Sequence, residues 1–310
     1  MSGVPGIFSN GVIVAIIAHT LIGLSLIWDK VLLERPESQS VVNYVFWLGA
    51  MSVLGLCLIP FGFHWPGAKV FGIAFAAGVV QLVANYFYYA TLKIGEASQT
   101  LAIMGGFSPL FTYLIAIPLL KEPLGRSSIA GFALLVAGGF FMFLSEALDL
   151  KRILPLTLMA AAAFGLSAVM QKVAFDMTNF VSAYVIFTLG TFAGALFFLI
   201  RKDWRDQIFR ASERASTHSK EMYFLNRFMN GVGSFLIFVA ISRASPAIVD
   251  AISGLRYVTI FAGVYLVGKY HPAWLHERYE GWPLIAKFIA TALVVSGLFL
   301  VGLNGGEGAA

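Results

Sequence analysis

The chain is written twice. Gly23-Leu24-Ser25 followed by Lys30-Val31 returns as Gly165-Leu166-Ser167 followed by Lys172-Val173, and both copies stand inside long apolar runs. Ala90-Thr91-Leu92-Lys93 returns as Ala240-Ile241-Ser242-Arg243, each time at the end of one apolar stretch and just before the next. Runs near the ~20 residues that cross a bilayer recur from end to end, so the repeated unit is a set of membrane spans. The spans fall at about 11–33, 40–60, 68–91, 97–120, 127–145, 153–175, 180–200, 221–242, 247–268 and 283–303. The duplication divides the chain near Leu148-Asp149-Leu150-Lys151-Arg152, giving halves 1–150 and 151–310 with five spans each. An odd number of spans per half forces the second half to insert upside down. The expected fold is therefore all-α and integral to the membrane, with ten transmembrane helices as two inverted five-helix repeats in one bundle and no soluble domain.

Composition agrees. The 310 residues are 59% hydrophobic and 12% charged, whereas soluble domains carry roughly 25% charged residues. The runs are rich in Phe, Gly and Ala without apolar/polar alternation, which excludes a β-barrel. The single cysteine, Cys57, excludes an internal disulfide and a thiolate cluster, and reads as a small apolar residue of the second span. The first basic residue is Lys30, so no basic region precedes the first apolar run and that run is expected to stay as a helix. A net charge of +5 reflects Lys and Arg gathered in loops on one side of a membrane, not a nucleic-acid partner.

Most connections are short turns. Residues 201–220 are longer and hold six Lys or Arg with Trp204, Ile208 and Phe209, a pattern read either as a short helix on the headgroups or as a solvated basic loop. Assigning basic residues to alternate sides gives roughly 13 on the side of that loop and about 5 on the side of the termini. This bias puts the loop in the cytoplasm and the termini outside.

A polar or ionisable side chain in hydrocarbon usually faces the bundle interior or a wet cavity, so each is a candidate site residue. Arg256 lies nine residues into the ninth span, about 13.5 Å along the helix and near the midplane. Asp250 precedes it by six positions on another sector of the helix, so the two are not expected to pair within it. In the repeat, Asp250 and Arg256 align with Thr100 and Gly106, which makes the space between the halves chemically lopsided. Asn226 and Asn230 share one face of the eighth span, Asn230 lining the cavity or bonding between helices, while Arg227 is expected to snorkel from the helix end. Gln81 and Asn85, followed by Tyr88, form a similar stripe in the third span. Lys30 and Lys172 occupy matching repeat positions, either at the interface or facing the substrate. Tyr257 beside Arg256 joins the binding candidates, and Asp250, His19 and Asp29 are candidates for proton coupling. His19 has a second reading as a simply hydrogen-bonded residue. Gly190 and Gly194 make a GxxxG, which is packing; Pro109, Pro118 and Pro246 loosen the backbone near the cavity.

The pattern resembles the drug/metabolite transporter superfamily, in its ten-helix EamA-type members. The resemblance rests on Ala90 to Lys93 leading into Glu96-Ala97-Ser98, Pro109 in the next span, and Lys121-Glu122-Pro123-Leu124 before a Gly-rich fifth span. The second half adds Ala240 to Ala247, then His276-Glu277-Arg278 and Ser296-Gly297-Leu298. It covers residues 11–303 and implies a central cavity lined by spans 1, 3, 4, 6, 8 and 9, alternating access, and export or exchange of small metabolites, often proton-driven. Leu255-Arg256-Tyr257 and Asp29-Lys30 depart from an apolar pocket and favour a polar or charged substrate.

The expected function is secondary transport of a small polar organic metabolite, such as an amino acid, across the inner or plasma membrane. Arg256 would attract an anionic group and Asp250 would take a proton or amine, with Asn85, Gln81 and Asn230 supplying neutral hydrogen bonds. The partners are the bilayer, the solute and possible protons; no cofactor, metal or nucleic acid is expected, and the protein would be a monomer or homodimer. The alternatives are larger cargo, such as drugs or nucleotide-linked or lipid-linked metabolites, and a membrane-embedded enzyme. Against an enzyme stands the absence of HExxH, GxSxG and any Asp-rich or His-rich cluster at ligand spacing.

Overall fold

In hydrocarbon each peptide group must find its hydrogen bond within its own segment, and these apolar runs do so as helices. The computed structural model describes residues 10–34, 40–94, 97–120, 126–145, 150–214, 217–256, 259 and 282–304. The helices are α1 (Gly11–Glu34), α2 (Val41–Met51, extended by a 3-10 helix Ser52–Phe61), α3 (Ala68–Ile94), α4 (Ala97–Leu120), α5 (Arg126–Ser145) and α6 (Leu150–Met177). There follow α7 (Phe180–Leu196, with a 3-10 turn Phe197–Leu199), α8 (Lys202–Arg214), α9 (Thr217–Ile241), α10 (Pro246–Ala251, with a 3-10 turn Ile252–Gly254) and α11 (Trp282–Asn304).

Among the described residues, six apolar segments are long enough to cross a bilayer: Val41–Phe61, Ala68–Ile94, Ile103–Leu120, Ile153–Met177, Phe180–Leu199 and Lys220–Ile241. Shorter apolar stretches at Gly11–Leu26, Ile129–Phe141 and Phe288–Gly297 fall on three more expected spans. The ninth span is described only over residues 246–256 and 259.

Local chemistry sets several boundaries. Ser40 caps α2, its hydroxyl accepting from the Asn43 amide at 3.3 Å, and Asn179 caps α7 through the Ser182 amide at 2.7 Å. The extension of α2 stops at Gly62, whose φ of 113° lies in the left-handed region that glycine tolerates. Pro246 opens α10 at a position where its missing N–H costs nothing.

The segment 201–220 resolves in favour of a helix. In α8, Ile208 is fully buried, Trp204 tilts against Phe198 with ring centroids 5.5 Å apart, and Phe209 stays half exposed. The Ser40 hydroxyl donates to Gln207 Oε1 at 2.8 Å, tying the helix to the start of α2.

Packing pairs α1 with α9, α6 with both α3 and α4, α3 with α7, and α5 with α4 and α11. Between α3 and α7 the backbones touch: a Cβ on Gly78 would collide with the Phe187 carbonyl oxygen, and one on Gly190 with that of Phe75. Close approach is what the GxxxG of α7 predicts. Gly11 at the start of α1 abuts Ala240 and Ala244 at the end of α9, so these helices are antiparallel. The last turns of α1 therefore meet the first half of α9 at the end of the bundle where α8 lies.

Candidate functional site

Six helices, α1, α3, α4, α6, α9 and α10, enclose a cavity of about 140 Å³. They correspond to spans 1, 3, 4, 6, 8 and 9. A cavity of this size is comparable with one that holds a single benzene-sized molecule. His19, Gln81, Asn85, Asn230, Asp250 and Arg256 all line it, so the structure gathers five of the expected binding residues and two of the expected proton carriers, Asp250 being counted in both sets, in one place.

Asp250 and Arg256 meet the cavity by different supports. Ser108 and Thr112, one turn apart on α4, donate hydroxyl hydrogen bonds to the same carboxylate oxygen, Asp250 Oδ2, at 2.7 and 2.6 Å. Arg256 donates from Nε to His19 Nδ1 at 2.9 Å, and the other ring nitrogen of His19 lies 2.8 Å from the Val249 carbonyl. A guanidinium only donates and a carbonyl only accepts, so this arrangement fixes the imidazole as the neutral tautomer with hydrogen on Nε2. His19 thus spans α10 and the turn after it, orienting Arg256 while Val249 holds the ring. In this geometry both ring nitrogens are engaged.

Neutral polar groups extend around the wall. Asn230 donates to the buried Ser25 behind the wall at 2.9 Å and accepts from Ser234 at 3.3 Å, so the wall presents an amide beside a hydroxyl. On α3, the Asn85 amide nitrogen donates to the Gln81 carbonyl at 2.9 Å. Tyr88, Tyr89, Phe164 and Phe238 add aromatic surface.

A second polar cluster lies toward α8 and gathers four helices on one carboxylate. Asp29 of α1 makes a salt bridge to Arg227 of α9, accepts from Tyr44 of α2 at 2.6 Å and from Tyr89 of α3 at 3.3 Å, and accepts from the Asn226 amide. Arg227 also donates to the Tyr89 and Tyr44 hydroxyls at 2.9 and 3.1 Å. Its guanidinium carbon stands 4.9, 5.7 and 5.6 Å from the ring centroids of Tyr44, Tyr89 and Tyr223, inside the range of cation–π attraction. Tyr223 closes the outside, its hydroxyl donating to the Tyr44 carbonyl at 3.0 Å.

The expectation that Arg227 snorkels is corrected here. Its side chain is 3% exposed and its charge is met by Asp29. The reason is the true start of α9 at Thr217, which puts Arg227 ten residues, about 15 Å, into the helix. Asn226 and Asn230 share a helix face but serve different clusters. Asp29, expected as a proton carrier, is fully buried in this ion pair. Lys172 pairs with Asp176 one turn on, at 2.8 Å. Lys30 belongs to α1, but its side chain lies outside the described residues, as do Tyr257 and the motifs 121–124 and 276–278.

Sequence reasoning missed Ser108, Thr112, Ser25 and Ser234, and the three tyrosines of the cage. Ser108 and Thr112 carry the i, i+4 spacing of one face, a usable signal once α4 is known to face α10. Among the described residues, no group of three His, Cys, Asp or Glu side chains has the geometry to hold a metal ion.

Residues 9–144 match the model of the EamA-like transporter family. A solved crystal structure aligns over 98% of this chain and 99% of its own, with a TM-score of 0.62 and 14% identity, which makes the fold similar over its whole length. No curated protein matches in sequence.

Proposed function

We propose that this chain, a multi-pass integral membrane protein whose residues 9–144 match the model of the EamA-like transporter family, is a transporter that moves a small polar organic metabolite through the cavity between its halves. That family is one of transporters. The finer reading rests on a single observation: an aspartate and an arginine line the same small cavity. Ser108 and Thr112 hold Asp250, and His19 holds Arg256. Among the described residues the salt bridges are Arg227–Asp29, Lys172–Asp176 and Arg201–Asp203, and the cavity couple is not one of them. Two opposite charges oriented into one space suit a solute that carries both signs, as an amino acid does. Asn230, Ser234, Gln81 and Asn85 would bond its neutral polar atoms, and Asp250 would be the group that exchanges a proton or meets an amine.

Alternating access between two inverted repeats is the mechanism proposed. It is supported by matched contacts: Gly23 of α1 admits Arg256 and Thr259, as Gly165 of α6 admits Thr112. Ser25 and Ser167, equivalent in the repeat, are both fully buried, and each hydrogen-bonds a helix of the other half, α9 and α3.

The test is counterflow in proteoliposomes with a panel of zwitterionic, anionic and cationic solutes, after a thermal-shift screen selects ligands. Arg256→Ala and Asp250→Asn are each expected to lower transport of the selected zwitterion about tenfold or more, as loss of a charged hydrogen-bonding partner does, while elution and melting stay near the parent's. Full transport by both folded variants would overturn the assignment.

A further inference from the structure

The Asp29 cluster lies outside the proposed binding residues yet touches the cavity through one side chain. Tyr89 lines the cavity, and the same hydroxyl accepts from Arg227 and donates to Asp29. Leu26, one turn before Asp29 on α1, lines the cavity as well. The cluster therefore forms the cavity's wall toward α8, and it ties α1, α2, α3 and α9 together at that end.

As a device for stability alone this is a poor choice. A buried ion pair must recover the desolvation of two charges, and well-packed apolar residues often serve as well or better. The cluster is also incompletely bonded: Arg227 Nε and Asn226 Oδ1 are buried without a hydrogen-bond partner. For an end that must open, the balance reverses. Water entering between α1 and α9 would hydrate both charges and supply the missing partners, which offsets the loss of the pair. An apolar seal gains nothing when wetted. A charged pair under a tyrosine roof is tight when dry and inexpensive to part when wet.

The repeat supplies a second observation. The spacing that carries Gly23 to Gly165 and Lys30 to Lys172 carries Asp29 to Gln171. Gln171 is fully buried, and neither its amide nitrogen nor its oxygen finds a partner. The spacing that carries Ala90 to Ala240 carries Ala77 to Arg227, so neither charge of the pair is repeated at the equivalent positions of the other half. One end of the molecule is latched by charge, and among the described residues the repeat-equivalent positions Gln171 and Ala77 carry none.

We propose that the Asp29–Arg227 pair, with Tyr44, Tyr89 and Tyr223, is the gate that closes the cavity toward α8, and that Tyr89 couples it to whatever occupies the cavity. The gate rests on the reading of the chain as a transporter, and its test is therefore independent of any solute. In a Cys57→Ser background, Ser234→Cys places one thiol in the cavity wall, and a membrane-impermeant maleimide is applied to either face of oriented vesicles. Arg210→Cys, on the exposed side of α8, marks the α8 face. The parent is expected to label slowly from that face. Tyr89→Phe, which keeps the ion pair and the ring, should raise labelling from the α8 face about tenfold, the scale of one hydrogen bond to a charged group. Arg227→Gln and Asp29→Asn should raise it further, and labelling from the opposite face should not rise with any of them. Unchanged labelling in folded Tyr89→Phe overturns the gate, even if the charge variants fail to fold. A rise from both faces equally also overturns it, because it marks general loosening. If labelling opens as expected but the parent carries no solute in counterflow, the gate stands and the transport reading falls. If solutes are carried and labelling never changes, the outcome is reversed.

Discussion

Two Asp–Arg couples lie in this bundle, and they are built in opposite ways. At the α8 end Asp29 and Arg227 touch, and tyrosines and an asparagine from three neighbouring helices converge on them. Nearer the middle, Asp250 and Arg256 face one cavity but are held by two hydroxyls and an imidazole. The residue types are the same and the consequences differ. A pair whose charges meet directly holds helices together and presents no net charge to a visitor. Two opposite charges set on one cavity wall can each meet a group of a visitor that enters. The supporting side chains, more than the charges, therefore separate closure from recognition.

The sharpest way to break this comparison is to remove one partner of the directly contacting pair. Arg227→Gln leaves a buried carboxylate without its counter-charge and is expected to cost about 3–5 kcal/mol of stability, measured by chemical unfolding in detergent. The double substitution Asp29→Leu with Arg227→Leu should recover much of that loss, because no charge is then stranded. If the single and double changes cost the same, the pair is not the unit we describe. Next in size is Tyr44→Phe, which removes a 2.6 Å hydrogen bond to Asp29 while keeping the ring beside the guanidinium. A loss of about 2 kcal/mol is expected, the scale of hydrogen bonds to charged groups. Gln171→Leu should move stability the other way, by about 1 kcal/mol upward, since it replaces an amide buried without partners by an apolar group of similar size. A clear destabilisation would mean that Gln171 is bonded after all.

Much of this was legible in the chain. Spans could be placed because a bilayer imposes a length, and α3, α4, α6 and α7 begin and end within a few residues of their apolar runs. Asp250 and Arg256 stood out because charge in hydrocarbon is rare, and both line the cavity. The cage did not stand out. Tyrosines near span ends are ordinary at membrane interfaces, so Tyr44, Tyr89 and Tyr223 carried no signal until four helices were assembled around Asp29. Arg227 was misplaced for a related reason: hydropathy sees the apolar part of α9 but not the polar turn Thr217–Lys220 that precedes it, and this turn carries Arg227 beyond snorkelling reach. Nor could the sequence say that His19 spends both ring nitrogens on Val249 and Arg256, because that depends on a contact across 230 residues.

The smallest expected effect is the one that sharpens the comparison most. In Asp250→Asn the amide oxygen can still accept from Ser108 and Thr112, and the group lies on a cavity wall instead of in a sealed cluster. No counter-charge is stranded in direct contact, so the stability of the empty protein should change by less than about 1 kcal/mol. The same substitution removes the only negative charge among the described residues that line the cavity. A cationic or zwitterionic ligand found by the thermal-shift screen should therefore lose most of its stabilising effect, while the ligand-free melting point barely moves. Arg227→Gln should do the reverse, lowering the ligand-free melting point strongly and leaving any ligand's increment largely intact, because that residue does not line the cavity. If Asp250→Asn destabilises the empty protein as much as Arg227→Gln does, the two couples are one kind of structural charge pair, and the distinction between closure and recognition fails.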